Sequence, residues 1–449
     1  MRPVLLAAVA VAWLAVAHGG EVPAFLVAAG EVTERSAVIW VRAAREGPVT
    51  VEVAPDGEPR RQRVGASATA ETDFTVKVRF GGLTPARRHV YRVVSGTDVA
   101  AGAFVTAPPA DVGRPVRLVW SGDLGGGGHC RSPGAGYEIF RPMRARRPDF
   151  FVFVGDTIYA DHRCQVPENL PGADFQARDL AGFRAKHRYN RSDPALAAFL
   201  QGTSVYAIWD DHEVRNDFAG PTEPLMPVGR RAFLEYWPIE PPPDDPTRLY
   251  RRARWGRLVE LFVLDTRQYR SDNRAADGPG KTMLGARQRD WLLDGLGRSD
   301  AVWKLVVSSV SLSVPTGRAG RDGWASGSPR FDSGQPPTGF EHELGTIVRA
   351  LAGRGVQNVV WLVADVHRAE IIRHAPLPGL VFHELIAGPL SAGTGWPGWL
   401  DDTLRPTRLY GEGGFLNFGE LVADAPGLTV RIIDAAGRTR FETTLAPRR

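Results

Sequence analysis

The sequence predicts a layered α/β fold preceded by a smaller β-sandwich of immunoglobulin or fibronectin type. Three observations predict it. From about residue 22 to 107, short segments rich in Val and Phe alternate or run apolar, with Gly, Pro and Asp between them. From about residue 115 the pattern changes to short continuous apolar runs, as in strands buried on both faces. Helix-like segments lie between several of these runs, which is the alternation of a layered α/β domain.

The first residues read MRPVLLAAVAVAWLAVAHGG. Arg2 gives a charged start, Pro3 to Val16 is almost wholly apolar, and Ala15-Val16-Ala17 fits a small-residue cleavage site. Residues 1–17 are expected to be a signal peptide. The apolar run is shorter than the roughly 20 residues a spanning helix needs. No integral membrane segment is expected after its removal, and the expected location is periplasmic or secreted. There is no twin arginine, which favours the general secretory route.

Residues 22–108 form the expected β-sandwich domain. Its strands are SAVIWVRA, VTVEVA, DFTVKVRF, HVYRVVSG and AGAFVTAP, and APPADVGRP serves as linker. No cluster of chemically active residues falls here, so an accessory role is expected. The second domain spans 115–449. Its strands are VRLVWSGD, FFVFVGD, SVYAIWDD, LVELFVLD, WKLVVSSV and NVVWLVADVH. Its helical segments are AGYEIFRPMRARRP, ADFQARDLAGFRAKHRY and GARQRDWLLDGLG. The stretch GRAGRDGWASGSPRFDSGQPPTGF reads as a long loop of the lid or substrate-binding kind.

Composition agrees with two globular domains. The chain has 449 residues, 43% hydrophobic and 23% charged, with net charge +5. The basic balance mildly favours anionic partners. Arginine is spread along the chain with no block of like charge, which argues against a specific nucleic-acid partner. A monomer is expected. The two cysteines, Cys130 and Cys164, fit one disulfide in an exported protein. The rival reading makes Cys130 a metal thiolate, and spacing alone leaves both open.

Most of the buried runs end in an acid. Asp123 follows LVWSG, Asp156 follows FVFVG, Asp210 and Asp211 follow VYAIW, Asp265 follows LFVL, and Asp365 follows VVWLVA. Ligands of open α/β sheets bind beyond the carboxyl ends of the strands. Any one such Asp is an ordinary turn or cap residue. Together they would gather anions in one place, which is costly unless a cation neutralises them. A metal centre is the economical reading, with His367 and His212 as nitrogen donors.

These stretches also carry a resemblance. SGDLGGGGHC, FVGDTIYAD, WDDHEVRND and ADVHRAE look like the successive motifs of the calcineurin-like metallophosphoesterases. Within that superfamily the chain most resembles the alkaline phosphatase D (PhoD) family, and DTRQYRSDN, KTMLGARQRDWL and FHELIAGPLSAG are similar to that family as well. The resemblance covers essentially the whole chain after the leader. It implies a metallophosphoesterase-type sheet sandwich and a metal-dependent phosphoric ester hydrolase.

It also implies roles. Asp156 would bridge two metals, since a carboxylate can hold two cations about 3.5–4 Å apart. Asp123 and His367 would complete the first site. Tyr159 follows Asp156 at the spacing of the tyrosinate ligand of purple acid phosphatases, which would favour Fe³⁺. Asp156, Asp211 and Asp365 would hold the second metal. The wider superfamily usually has Asn and His in place of Asp211 and Asp365, so oxygen replaces nitrogen. Such ligands suit Ca²⁺, Mg²⁺ or Mn²⁺ better than Zn²⁺. The family implies iron with calcium.

His212 would protonate the leaving oxygen or brace the phosphoryl oxygens. Asn216 and Asp217 would ligate or orient the second metal. Asp210 would fix a ligand or His212, and Glu213 would be structural. Arg184, with Lys186, His187 and Arg188 beside it, and Arg267 are candidate phosphate clamps. The family can place a cysteine near the iron, but here a glycine run separates Asp123 from Cys130, and the presence of Cys164 tips the expectation to a disulfide. The implied reaction is in-line attack of a metal-bound hydroxide or oxo group on a phosphate mono- or diester. A rival keeps the metals and makes the enzyme a phosphodiesterase or phospholipase-like hydrolase of teichoic acid, lipid or nucleotide diesters. A further rival is a non-enzymatic exported adhesin with a structural metal.

Overall fold

The computed structural model describes residues 25–326 and 339–448. The expected signal peptide, residues 1–17, lies outside the described residues, as does much of the Gly- and Ser-rich loop.

Seven strands open the described chain: β1 (Leu26–Gly30), β2 (Ala37–Arg42), β3 (Gly47–Pro55), β4 (Gln62–Ala68), β5 (Thr75–Phe80), β6 (Arg88–Ser95) and β7 (Asp98–Val105). β4-β3-β6-β7 form one sheet, and β1, β2 and β5 lie together in another. Ile39, Val41 and Val78 from one and Val49, Val51 and Val93 from the other belong to a common core. This is the expected β-sandwich, with β1 and β4 added to the strands anticipated.

The second domain follows with β8 (Val116–Ser121), α1 (Phe140–Ala145), β9 (Phe150–Val154), α2 (Leu180–Arg191), α3 (Pro194–Gly202), β10 (Ser204–Ile208) and α4 (Met226–Tyr236). Next come β11 (Arg251–Trp255), β12 (Val259–Val263), α5 (Gly285–Arg298), β13 (Trp303–Val307), α6 (Glu341–Gly353) and β14 (Val359–Val363). The chain closes with β15 (Ala369–Leu377), β16 (Leu380–Ile386), β17 (Pro406–Glu412), β18 (Asn417–Ala423), β19 (Leu428–Asp434) and β20 (Thr439–Leu445).

Two large sheets result, ordered β20-β19-β18-β8-β9-β10-β1-β2-β5 and β11-β12-β13-β14-β16-β15-β17. The sandwich strands therefore extend the first sheet, because β1 pairs in parallel with β10, Gly30 opposite Val205. A Cβ on Gly30 would stand 2.6 Å from the Val205 carbonyl oxygen, so only glycine fits this seam.

The continuous apolar runs are explained by burial on both faces. In β9 every residue of Phe-Phe-Val-Phe-Val is buried. Phe150 packs at a tilt against Trp255 of the facing sheet, ring centroids 4.4 Å apart, while its neighbour Phe151 meets Phe199 of α3 at 5.4 Å. On the far side, Leu292 and Leu296 of α5 and Ile347 and Leu351 of α6 pack on Phe262, Val306 and Trp361. The layers run helix, sheet, sheet, helix. The strands β8, β9 and β10 are mutually parallel, as are β12, β13, β14 and β16. Each set delivers its carboxyl ends to one edge of its sheet.

Candidate metal centre

The turns leaving these strands carry the acids. Asp123, Asp156, Asp365 and His367 all adopt left-handed backbone conformations, with φ of 63°, 50°, 66° and 56°. Asp and His tolerate this region better than most residues, but four such positions at one edge mark strain that the surroundings must hold.

Glu213 supplies much of that hold. Its buried carboxylate accepts the backbone N–H groups of Asp156, Thr157 and Asp210, at 3.2, 2.6 and 2.9 Å, and the Thr157 hydroxyl at 2.7 Å. It ties the turn after β9 to the turn after β10. The backbone N–H of Asp365 donates to Asp123 Oδ1 at 3.0 Å, linking the two sheets. A Cβ on Gly388 would collide with Asp123 Oδ2, so that glycine makes room for the carboxylate.

The side chains converge. Ligand atoms of Asp123, Asp156 and His367 lie within 4.8 Å of one another, as do those of Asp156, Asp211 and His212, and those of Asp210, Asp211 and Asp365. Asp156 and Asp211 are each shared between groups, so the clusters are contiguous. His367 is held by a 2.6 Å contact from Nδ1 to the Gly393 carbonyl, which makes Nδ1 the protonated nitrogen. Nε2 is left unprotonated and lies 3.0 Å from the Tyr159 hydroxyl. Tyr159 stacks on His212 at 4.1 Å. His212 donates its backbone N–H to Asp156 Oδ1 at 3.2 Å, and its Nδ1 lies 2.7 Å from Asp161 Oδ1.

The electrostatics demand a counter-charge. Burial pushes the Asp156 carboxyl well above the usual range, and the neighbouring charges of Asp211, Asp210, Glu213 and Asp123 push it further. Asp123 and Asp365 are displaced the same way, burial first. Burial and the charges of Asp156, Asp123 and Asp211 also hold the Tyr159 phenol well above its ordinary value. Burial lowers His212, but the carboxylates of Asp211, Asp161 and Asp210 outweigh it and push the imidazole up to about 9. Asp123 Oδ2, Asp211 Oδ1 and Asp365 Oδ2 are buried with no hydrogen-bond partner. Orphaned oxygens of converging carboxylates, with an unprotonated imidazole nitrogen among them, fit a pair of cations.

Two expected site residues, Arg267 and Arg184, act differently. Arg267 is fully buried and saturated: Nε donates to Asp210 at 2.6 Å, and Nη1 and Nη2 grip Asp322 at 2.7 and 2.6 Å. No face of its guanidinium is left for a substrate phosphate, and its role is to brace acids. Arg184 is engaged by Glu235 through Nε and Nη2, both at 2.7 Å, and by the Glu71 carbonyl, joining α2 to α4 and to the sandwich. Asn216 is exposed, and its backbone N–H donates to Asp161 Oδ2 at 2.9 Å. Its neighbour Asp217 groups with Asp211 and Asp322. The other basic residues of the α2 segment are likewise occupied. The Lys186 ammonium caps the Ala173 carbonyl at 2.8 Å, His187 is buried in the core, and Arg188 pairs with Asp73 at 2.6 Å.

The disulfide forms. Cys130 and Cys164 are bonded, with Cα atoms 5.8 Å apart, which removes Cys130 as a thiolate ligand. It staples the glycine-rich loop to the segment after Tyr159. Sequence reasoning gave no role to Asp161 and Asp322. Asp161 stands two residues past Tyr159 inside a motif already singled out. Asp322 lies in the Gly- and Ser-rich loop, where nothing local marks it.

The chain is similar to known proteins. The family profile "PhoD-like phosphatase" matches residues 126–409, and "PhoD-like phosphatase, N-terminal domain" matches residues 20–108. Alkaline phosphatase D of Bacillus subtilis (strain 168) is 27% identical over 385 residues, covering 76% of this chain and 64% of that protein, so the chain spans less than two thirds of that relative. A solved structure titled "Structure of PhoD" superposes with a TM-score of 0.75 at 21% identity, over 94% of this chain and 92% of that one. The purple acid phosphatase PPD1 from yellow lupin (Lupinus luteus) seeds gives 0.61 at 13% identity, over 94% and 74%. At these identities the two structures speak for the fold.

Proposed function

The chain belongs to the PhoD-like phosphatase family, and on that premise we propose that it is a metal-dependent hydrolase of phosphate mono- and diesters. The observation that carries this reading is the contiguous set of Asp123, Asp156, His367, Asp211 and Asp365, with buried oxygens that lack any partner.

Asp123, Asp156 and His367 would hold one cation, with Tyr159 beside them, and Asp156, Asp211 and Asp365 the other. Fe³⁺ in the first site and Ca²⁺ in the second suit these donors, with Mn²⁺, Mg²⁺ or Zn²⁺ as alternatives. When bound, such ions polarise a phosphoryl oxygen and lower the pKa of water. The protein's own part is positioning and proton transfer. Its carboxylates fix the phosphate-binding edge. The unprotonated Nε2 of His367 and the Tyr159 hydroxyl face one another there. His212, oriented by Asp161, carries the proton that a departing alkoxide needs. Phosphoryl transfer requires little else from a protein.

The Cys130–Cys164 disulfide supports action in an oxidising compartment, in line with export through residues 1–17. No helix among the described residues is long and apolar enough to cross a membrane. The test is turnover of p-nitrophenyl phosphate and bis(p-nitrophenyl) phosphate, combined with metal analysis of protein purified without chelator. Hydrolysis of both esters, with iron near one equivalent and a tyrosinate absorption band, is expected. Turnover of neither by metal-reconstituted protein would leave the non-enzymatic reading. Zinc as the sole metal would remove Tyr159 from the ligand set.

A further inference from the structure

A cavity of about 800 Å³ opens next to the candidate metal centre. Asn216 and Asp217 are among its lining residues. The backbone N–H of Asp217 donates to Asp211 Oδ2 at 2.6 Å, so the lining touches a candidate ligand. Arg215, Arg274, Arg318 and Arg321 also line the cavity. Arg215 is paired with Glu223. The other three guanidinium groups carry no ion pair among the described residues. The remaining acids of the lining are engaged. Asp272 Oδ1 accepts the backbone N–H of Arg274 at 2.7 Å, and Asp217 Oδ2 accepts that of Arg318 at 2.7 Å.

The loop bearing Arg318 and Arg321 is anchored to the centre. Gly317, at φ 72°, packs so close to Asp217 that a Cβ there would stand 2.7 Å from its Oδ1. Asp322 is clamped by Arg267 and Arg270 at 2.6 and 2.7 Å. Arg267 in turn holds Asp210. A chain of ion pairs thus fixes the position of Arg318 and Arg321 relative to the ligand edge. Exposed cations fixed around a concave wall are an anion-binding feature, and guanidinium suits phosphate or carboxylate oxygens.

We infer that Arg274, Arg318 and Arg321 form a subsite for a second anionic group carried by the substrate one linkage from the scissile phosphate. This rests on the phosphate ester hydrolase reading and deepens it: substrates carrying an additional phosphate or carboxylate are preferred over singly charged esters. The subsite acts by binding, so the preference resides in KM.

The test compares thymidine 5′-(p-nitrophenyl phosphate) with the same ester bearing a 3′-phosphate, by initial p-nitrophenol release from the metal-loaded protein. The 3′-phosphate is expected to raise kcat/KM about tenfold through KM, and the advantage is expected to shrink as salt rises. In the triple variant Arg274→Ala, Arg318→Ala, Arg321→Ala the ratio should fall to about one, whereas the triple Arg→Lys variant should retain part of it. A general loss of folded protein lowers both rates together and leaves the ratio unchanged, so the ratio reads the subsite. Equal kcat/KM for the two esters, or a preference that survives the triple Ala variant, overturns the inference and leaves the hydrolase reading intact. Turnover of neither ester removes the diesterase reading and this inference with it.

Discussion

Nδ1 of His212 lies 2.7 Å from Oδ1 of Asp161, and the two residues come from turns after adjacent parallel strands. The contact orients the imidazole and holds its proton. Burial alone would lower the histidine, but Asp211 and Asp161 push it up to about 9. If the protonated ring donates to the leaving oxygen, activity falls as pH rises through that ionisation. Asp161→Asn removes one of the raising charges, so the alkaline limb of the kcat profile should move to lower pH. kcat should drop about 10- to 100-fold, in the range of general-acid contributions. His212→Ala should abolish most turnover while retaining metal. A pH–rate profile of Asp161→Asn that overlays the wild type would remove Asp161 from this role.

The ligand carboxylates should make function and stability oppose each other. Asp123 is 1% exposed, and burial raises its pKa well above the usual range. A group raised on folding stabilises fully below its unfolded pKa, and that contribution is lost as pH rises through the folded value. Near neutral pH without metal, the buried Asp123 carboxyl is therefore a liability. Asp123→Asn keeps an oxygen to accept the Asp365 N–H and removes the charge. In chelator the variant should be more stable than wild type by about 1–3 kcal/mol. In metal the order should reverse, because wild type gains binding energy that the variant lacks. Thermal melts of both proteins with and without chelator check the crossing. Parallel shifts would mean that Asp123 holds no cation.

How much of this was readable in the chain follows from burial. Central parallel strands are covered on both faces, so β8, β9, β10, β12, β13 and β14 leave unbroken apolar text, and the acid after each run sits at the edge where ligands gather. β11, β15–β20 and β1 and β4 left weaker text. The strand Thr-Arg-Phe-Glu-Thr-Thr-Leu, β20, has one buried residue, and its pairing comes from β19. The helix α3 is marked only by its cap, Asp193 with Pro194 at the first turn, because its short apolar run Ala-Leu-Ala-Ala-Phe-Leu carries no polar face to show the helical period. The arginines were unreadable for a different reason. Whether Arg267 faces a phosphate or two acids depends on Asp322, 55 residues on, in a loop with no periodic signal.

That reassignment of Arg267 has a measurable consequence. A substrate clamp at the surface would change KM and leave stability alone. Arg267 instead joins Asp210 and Asp322 while fully buried, and Asp322 is held down to about 2 by Arg267 and Arg270 against the opposing effect of its burial. Lysine cannot reproduce the two-pronged grip. Arg267→Lys should lower stability by about 3–5 kcal/mol, the range for breaking a buried ion pair. Urea unfolding midpoints read this directly. An unchanged midpoint with a raised KM would return Arg267 to the substrate.

His187 offers a pH test away from the metals. It is 1% exposed, stacks on Tyr236 at 5.1 Å, and neither ring nitrogen has a hydrogen-bond partner. Burial, helped by the nearby Arg191 charge, pushes it down to about 3. The unfolded chain therefore takes up a proton near pH 6.5 that the folded chain refuses. For a base depressed on folding, the stabilising effect is present above the unfolded pKa and is lost as pH falls toward the folded value. Between pH 7.5 and 5.0 this residue alone should remove about 2 kcal/mol of stability. His187→Phe keeps the stacked ring and drops both unpartnered nitrogens, so it should fold at least as well at neutral pH. Its urea midpoint should then decline less than the wild-type midpoint on acidification. The same decline in both proteins would show that His187 is not held neutral in the core.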